Sequence, residues 1–293
     1  MLPSEVLTKV WLSAFVLLFG YCCVALQIPS LAGLLYYLIS TQQYSNVLLF
    51  NWRKCTNERL KPHKKLYFSI RMKKQALTLF LILAFTNSAF MQTKTYSYLA
   101  IGDSYTIGES VPPSKNFPNQ TAALLKKAGI SITEPTIIAK TGWTTDELQE
   151  QLSRTRLAGP FDFVTLLIGV NNQYRGRSAE EYAKQFEELL QQALDYAGVK
   201  TNHVIVLSIP DWGITPFAEG RDRKQIAKEI DLYNSINERI SKQYKVHYIN
   251  ITPFTREAAT DKTLVAKDGL HPSAKDYARW AEKVKEVMMN ELK

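Results

Sequence analysis

Cysteine is nearly absent from this chain: there are three, Cys22, Cys23 and Cys55, and none among the residues that follow. A disulfide framework and thiolate metal chemistry are therefore excluded from the greater part of the protein. Repeats, linkers and low-complexity tracts are missing as well, and 13 Gly and 12 Pro are scattered through 293 residues. That excludes collagen-like and disordered chains and leaves ordinary globular composition, 46% hydrophobic and 22% charged. No GxGxxG or GxxxxGK[ST] occurs, so a nucleotide-binding role has no phosphate loop behind it. With no HExxH and with scattered histidines, metal-assisted hydrolysis is disfavoured, and no metal or other cofactor is expected. GxSxG, the strand-to-helix elbow that exposes the serine of α/β-hydrolases, is also absent.

Charge is unevenly divided. Of the net +9, the first 91 residues carry +8, from 10 Lys/Arg against 2 Asp/Glu, and the other 202 carry +1. The basic excess thus lies beside apolar runs and speaks for a membrane surface, with nucleic acid not expected as a partner.

Residues 10–26 are uncharged and apolar, and the run resumes over 31–39, about a bilayer's worth of helix, read as a membrane span or a broken hairpin. A basic stretch follows from Arg53 to Lys74, and then an apolar run of ten residues, 76–85, with a small and polar exit over 86–89. Met72, Lys73 and Lys74 ahead of that short core make residues 72–91 a secretory signal peptide, or the second span of a two-span anchor. The signal-peptide reading makes residues 1–71 an upstream extension outside the natural product, because such a peptide works at a chain start. Either reading carries residues 92–293 across a membrane, to a periplasmic or extracellular location, since the Lys/Arg-rich stretch stays inside. Neither Cys22 nor Cys23 follows a lipoprotein processing pattern, so no lipid anchor is expected.

From residue 92 the pattern changes. Short apolar runs at 96–101, 136–139, 163–168, 204–209 and 246–249 alternate with helical stripes, which predicts parallel strands joined by helices in one α/β domain. One stripe is Tyr182, Phe186, Leu189, Leu190, Ala193 and Leu194, preceded by Ser178 and Glu181 at capping-box spacing. Ile226, Ile230, Tyr233 and Ile240 make a second, and Tyr277, Trp280, Ala281, Val284 and Val287 a third. All three read as core.

In an open parallel sheet, functional groups collect beyond the carboxyl ends of the strands. Four polar loops fall there: Gly102-Asp103-Ser104, Thr141-Gly142-Trp143, Gly169-Val170-Asn171-Asn172 and Asp268-Gly269-Leu270-His271. Each alone reads more readily as a turn than as a site. Together they supply a hydroxyl nucleophile in Ser104, a base in His271, a carboxylate three residues before it in Asp268, and hydrogen-bond donors for an oxyanion in the Gly142 N–H and the Asn171 amide. His203 and His247 sit at strand starts and read as structural.

With these residues the sequence resembles the SGNH hydrolase superfamily, also called GDSL esterases and lipases, over residues 96–290. Ser104, Gly142, Asn171 and His271 match the four residues that name it, and YLAIGDSYTIGE, LLIGVNNQYRG and LSIPDWGITPF look like an exported bacterial branch. The resemblance implies a flavodoxin-like three-layer α/β/α sandwich around a central parallel sheet, and metal-free ester hydrolysis. It implies Ser104 as nucleophile and oxyanion donor, Gly142 and Asn171 as further donors, His271 as base and then acid, and Asp268 as its orienting partner. Asn172 departs from the usual Gly-x-Asn-Asp, a change expected to alter the hydrogen bonding of that loop and leave the chemistry intact.

Hydrolysis through an acyl-enzyme is the resulting expectation, with activity falling as pH drops through the ordinary histidine range, about 6.5. Tyr105, Trp143, Gln173, Tyr174, Arg175, Trp212 and Phe217 lie on or beside the same loops as candidate substrate-binding residues, or as loop anchors. Such a rim favours short acyl or acetyl esters, such as acetyl esters on glycans, over the longer chains of a lysophospholipase, lipase or thioesterase. A non-catalytic exported glycan-binding module is the alternative from a different class. The expected partner is therefore a small-molecule, glycan or lipid ester.

Overall fold

The computed structural model describes residues 94–292. The N-terminal apolar runs at 10–26 and 31–39, Cys22, Cys23, Cys55 and the signal-peptide segment 72–91 lie outside the described residues.

Strands and helices alternate as the periodicity predicts. In chain order they are β1 Tyr98–Asp103, α1 Ser104–Ile107, α2 Phe117–Lys127, β2 Thr136–Lys140, α3 Thr145–Arg154, β3 Phe163–Leu167, α4 Val170–Tyr174, α5 Ala179–Tyr196, β4 Val204–Leu207, α6 Arg223–Gln243, β5 His247–Ile249, α7 Thr252–Arg256 and α8 Ala274–Glu291. The five strands are all parallel, in the order β2-β1-β3-β4-β5.

Every residue of β1, β3 and β4 is buried, which an unbroken apolar run permits and which requires cover on both sheet faces. Helices α2 and α8 pack together as one group, and α5 packs against α3 and α6 as the other, giving the α/β/α layers. The outer strands β2 and β5 are only partly buried. The predicted stripes supply the cover: Tyr182, Phe186 and Leu190 on α5, Ile230 and Tyr233 on α6, and Tyr277, Trp280 and Val284 on α8 are all buried. Each such side chain contributes about 1.5–3 kcal/mol through burial. The Ser178 hydroxyl accepts the Glu181 N–H at 3.1 Å and caps α5 as its spacing implies.

Strand boundaries shift from the hydropathy pattern by one or two residues, most at β1 and β4. β1 runs on to Asp103, because Gly102 and Asp103 continue the ladder to Ala139 and Lys140 of β2. β4 stops at Leu207, although Ser208 and Ile209 remain fully buried, because the Ile209 N–H turns to the Asn234 side chain at 2.8 Å. Apolar burial thus outlasts the ladder there, and hydropathy reads only the burial.

The strand order has a reversal at β1. The chain leaves β1 outward to β2 and then returns across it to β3, so the carboxyl ends of β1 and β3 form the crevice in which such sheets hold their functional groups.

Candidate active site

Ser104 stands where β1 ends and α1 begins. Gly102 makes that turn feasible: a Cβ there would lie 2.2 Å from Thr106 Oγ1 and 2.3 Å from Leu167 O, closer than any side chain tolerates. Asp103 caps α1 by accepting the Tyr105 N–H at 3.0 Å, and its full burial pushes the carboxyl up to about 7 against the pull of that bond.

His271 arrives from the loop before α8. Its Nε2 lies 2.9 Å from Ser104 Oγ and its Nδ1 lies 2.6 Å from Asp268 Oδ2. Ser104 is 3% exposed and His271 6%, so bulk water competes little for these bonds. Three residues separated by up to 167 positions form one hydrogen-bonded chain along which a proton can leave the serine hydroxyl.

The Asp268 carboxylate is held by more than the imidazole. Oδ1 accepts the Leu270 and His271 N–H groups at 3.0 Å each, and Oδ2 accepts the Ser110 hydroxyl at 2.6 Å. Partial burial acts to raise this carboxyl, and the bonds from Ser110, Leu270 and His271 outweigh it and hold it at about 2. A depressed carboxyl stabilises the fold above the unfolded value of about 3.9, and that contribution is lost as pH falls through about 2. Ser110→Ala should therefore raise the pH at which Asp268 takes up its proton, read by carbon NMR of the carboxyl; an unchanged titration would refute the assignment. Ser110 had no sequence signal, since it lies 158 residues from Asp268, in a loop that places it at φ +66°.

The other two loops converge on the same edge, because strand register sets Lys140 beside Asp103 and Leu167 beside Gly102. Gly142 has φ +83° in a turn closed by Trp143 N–H to Lys140 O at 3.3 Å, a conformation that favours glycine. Asn171 donates its amide to Trp143 O at 2.9 Å and lies 3.5 Å from Asp103 Oδ2. Asn172 is fully buried: its Oδ1 accepts the Thr145 N–H at 3.1 Å and its Nδ2 donates to Thr145 Oγ1 at 2.6 Å, while the Thr145 hydroxyl donates to Gln185. A hydroxyl already committed to Gln185 calls for a donor at position 172, which asparagine has and a carboxylate lacks.

The rim candidates divide. Tyr105 is buried with its ring 4.9 Å from that of His271, and Trp143 packs against the core. Trp212 is buried and donates Nε1 to Gln173 Oε1 at 2.7 Å, and Gln173 donates on to Glu229. Tyr174 and Phe217 are each 45% exposed and pack against Trp212 and each other. The Phe217 N–H bonds Gly269 O at 2.9 Å, tying this aromatic group to the His271 loop. Arg175 turns its guanidinium to Gly142 O and Glu147. The strand histidines have other partners, His203 the Asp162 carbonyl and the Phe163 ring, His247 the Glu291 carboxylate. Among the described residues no group of three or more His, Cys, Asp or Glu could hold a metal ion, and no helix is long and apolar enough to cross a membrane.

The family model for GDSL-like lipases and acylhydrolases matches residues 100–279. No curated protein matches the chain. Solved structures share its fold. A member of the lipolytic protein G-D-S-L family from Veillonella parvula DSM 2008 aligns with TM-score 0.52 and 19% identity, over 67% of this chain and 99% of that one. The psychrotrophic esterase EstA from Pseudoalteromonas sp., solved inhibited by monoethylphosphonate, aligns with TM-score 0.52 and 14% identity, over 67% and 98%. An acetylxylan esterase from Geobacillus stearothermophilus aligns with TM-score 0.52 and 18% identity, over 68% and 96%.

Proposed function

Since the chain belongs to the GDSL-like lipase/acylhydrolase family, within the SGNH superfamily, and is an ester-bond hydrolase, we propose that Ser104, His271 and Asp268 are its catalytic triad and that it cleaves short acyl esters. The observation that carries the triad is the unbroken chain from Asp268 Oδ2 to His271 Nδ1 at 2.6 Å and from His271 Nε2 to Ser104 Oγ at 2.9 Å.

In this mechanism the proton passes from Ser104 Oγ to His271 Nε2 as Oγ bonds to the ester carbonyl carbon. The resulting oxyanion accepts hydrogen bonds from the N–H groups of Ser104 and Gly142 and from the Asn171 amide. Collapse expels the alcohol, which takes the proton from His271. Water, deprotonated by the same imidazole, then releases the acid. Asp268 stays ionised throughout, since its carboxyl is held at about 2.

Two features support a short acyl group. The exposed large hydrophobics among the described residues are Tyr174, Val199, Phe217 and Leu232, and only Tyr174 and Phe217 adjoin the site. These two rings suit a sugar or small alcohol better than they cover a long chain. An acetylxylan esterase among the similar structures agrees with acetyl esters on a glycan. The test is a series of p-nitrophenyl esters from acetate to palmitate with the full chain. We expect kcat/KM to be highest at acetate or butyrate and to fall by about tenfold or more by octanoate, a difference of about 1.4 kcal/mol. A maximum at long chains would replace this reading with a lipase or thioesterase.

Export through residues 72–91 belongs to the same proposal. N-terminal sequencing of the protein recovered outside the cytoplasm should begin near residue 90, and recovery of the uncleaved chain would favour the anchor.

A further inference from the structure

Helix α4 carries Asn171, and Arg175, its C-cap residue four positions on, bonds its N–H to Asn171 O at 3.0 Å, so the two side chains leave the same side of the helix end. Both reach back to the loop after β2. Arg175 Nη2 donates to Gly142 O at 2.5 Å, and its Nη1 donates to Glu147 Oε1 at 3.0 Å. Glu147 Oε2 in turn accepts the Thr144 N–H at 3.0 Å. With Asn171 on Trp143 O at 2.9 Å, the consecutive carbonyls 142 and 143 are both held by α4.

The rest of the turn is held by the Trp143 ring on the core and by the Trp143 N–H on Lys140 O at 3.3 Å, neither of which grips Gly142 itself. Lys140 and Thr141 are exposed, and Gly142 has no side chain to pack. A further tether is the Thr141 hydroxyl on Glu109, in the loop after α1. An oxyanion donor acts only within about 2.7–3.1 Å of the developing charge, and a displacement of about 1 Å costs on the order of 100-fold in rate. A backbone donor in a glycine turn therefore depends on whatever fixes the turn.

We infer that Arg175 is a positioning residue: its guanidinium, aligned by Glu147, fixes the Gly142 loop on the helix that carries Asn171, so that the two oxyanion donors keep one spacing. This rests on the esterase reading above. It assigns Arg175 inward, to the protein's own backbone, and away from the substrate. The guanidinium is suited to the task because its planar fork serves a carbonyl and a carboxylate at once, which an ammonium does less well.

Pairing with Glu147 separates positioning from a direct effect of charge. If the positive charge itself stabilised the oxyanion, Glu147→Gln would unmask it and raise kcat. If Arg175 positions the loop, Glu147→Gln loosens the guanidinium and lowers kcat.

The experiment measures kcat, KM, melting temperature and pH profile for p-nitrophenyl acetate with the full chain, its Ser104→Ala control, and the variants Arg175→Met, Arg175→Lys and Glu147→Gln. For Arg175→Met we expect kcat to fall about 10- to 100-fold, with KM within about twofold and the pH profile and melting temperature little changed. Arg175→Lys should recover part of the loss, and Glu147→Gln should lose about two- to fivefold. Unchanged kcat in Arg175→Met, a loss borne by KM that varies with the alcohol group, or a gain in Glu147→Gln would each overturn the inference alone. Should Arg175→Met fail to fold, Arg175→Lys and Glu147→Gln decide it by the same criteria. A wild type without turnover dependent on Ser104 would overturn the esterase reading and the inference with it.

Discussion

Ser104→Ala should lower kcat for p-nitrophenyl acetate by at least about 10⁴-fold while leaving the protein folded. The hydroxyl bonds His271 Nε2 at 2.9 Å, and its loss removes the atom that attacks in the proposed mechanism. The backbone role of the residue survives, since Ser104 O still accepts the Gly108 and Glu109 N–H groups at 3.1 and 3.0 Å. His271→Ala should cost about as much, and the double variant little more than either, because nucleophile and base act as one unit. Additive losses would mean that the two residues serve separate steps. Retention of a tenth of the wild-type rate in Ser104→Ala, with the variant folded, would remove Ser104 as nucleophile. A chain that binds glycans yet shows no turnover in either form would instead support the idle module.

Asn171→Ala is the second large effect, an expected loss of about 10²- to 10³-fold in kcat and an equal loss in kcat/KM. The amide has two N–H bonds. One is spent on Trp143 O at 2.9 Å, and the other faces a region where its nearest acceptor, Asp103 Oδ2, lies at 3.5 Å, the edge of hydrogen-bond range. That second N–H is the one free to strengthen its bond as negative charge develops. Asn171→Asp keeps the shape and replaces the donor with a negative charge, so it should be more damaging than alanine. If KM alone rose in Asn171→Ala, the amide would be binding the ground state and the oxyanion role would fall. Gly142 offers no equivalent side-chain test. A Cβ there has room, its nearest neighbour Arg175 Nη2 at 3.7 Å, but φ +83° would strain any other residue.

Much of the architecture was legible because it rests on local periodicity. All five strands and the three long stripes follow from apolar runs and from spacing at i, i+3 and i+4, and Ser178 announces the start of α5. Asp268 and His271 were legible as a pair because they lie three positions apart in one loop, and the structure joins them at 2.6 Å. Ser110, Arg175 and Asn172 were not legible in the bonds they make. Their partners are Asp268, Gly142 and Thr145, across loops of different strands, and a serine, arginine or asparagine in a turn reads equally well as solvated surface. Arg175, a candidate for the substrate rim by its position, is committed to Gly142 and Glu147.

By itself the sequence determined the α/β class, the set of elements, the residue types for ester chemistry and, for Ser104, Gly142 and Asn171, their attachment to strand ends, since each depends on neighbours a few positions apart. Tertiary structure decided which loops meet. The order β2-β1-β3-β4-β5 brings the ends of β1, β2 and β3 side by side and sets Ser104 2.9 Å from a histidine 167 residues away. That order is set by how helix faces pack on the two sides of the sheet, a balance over the whole core that no short stretch of sequence contains.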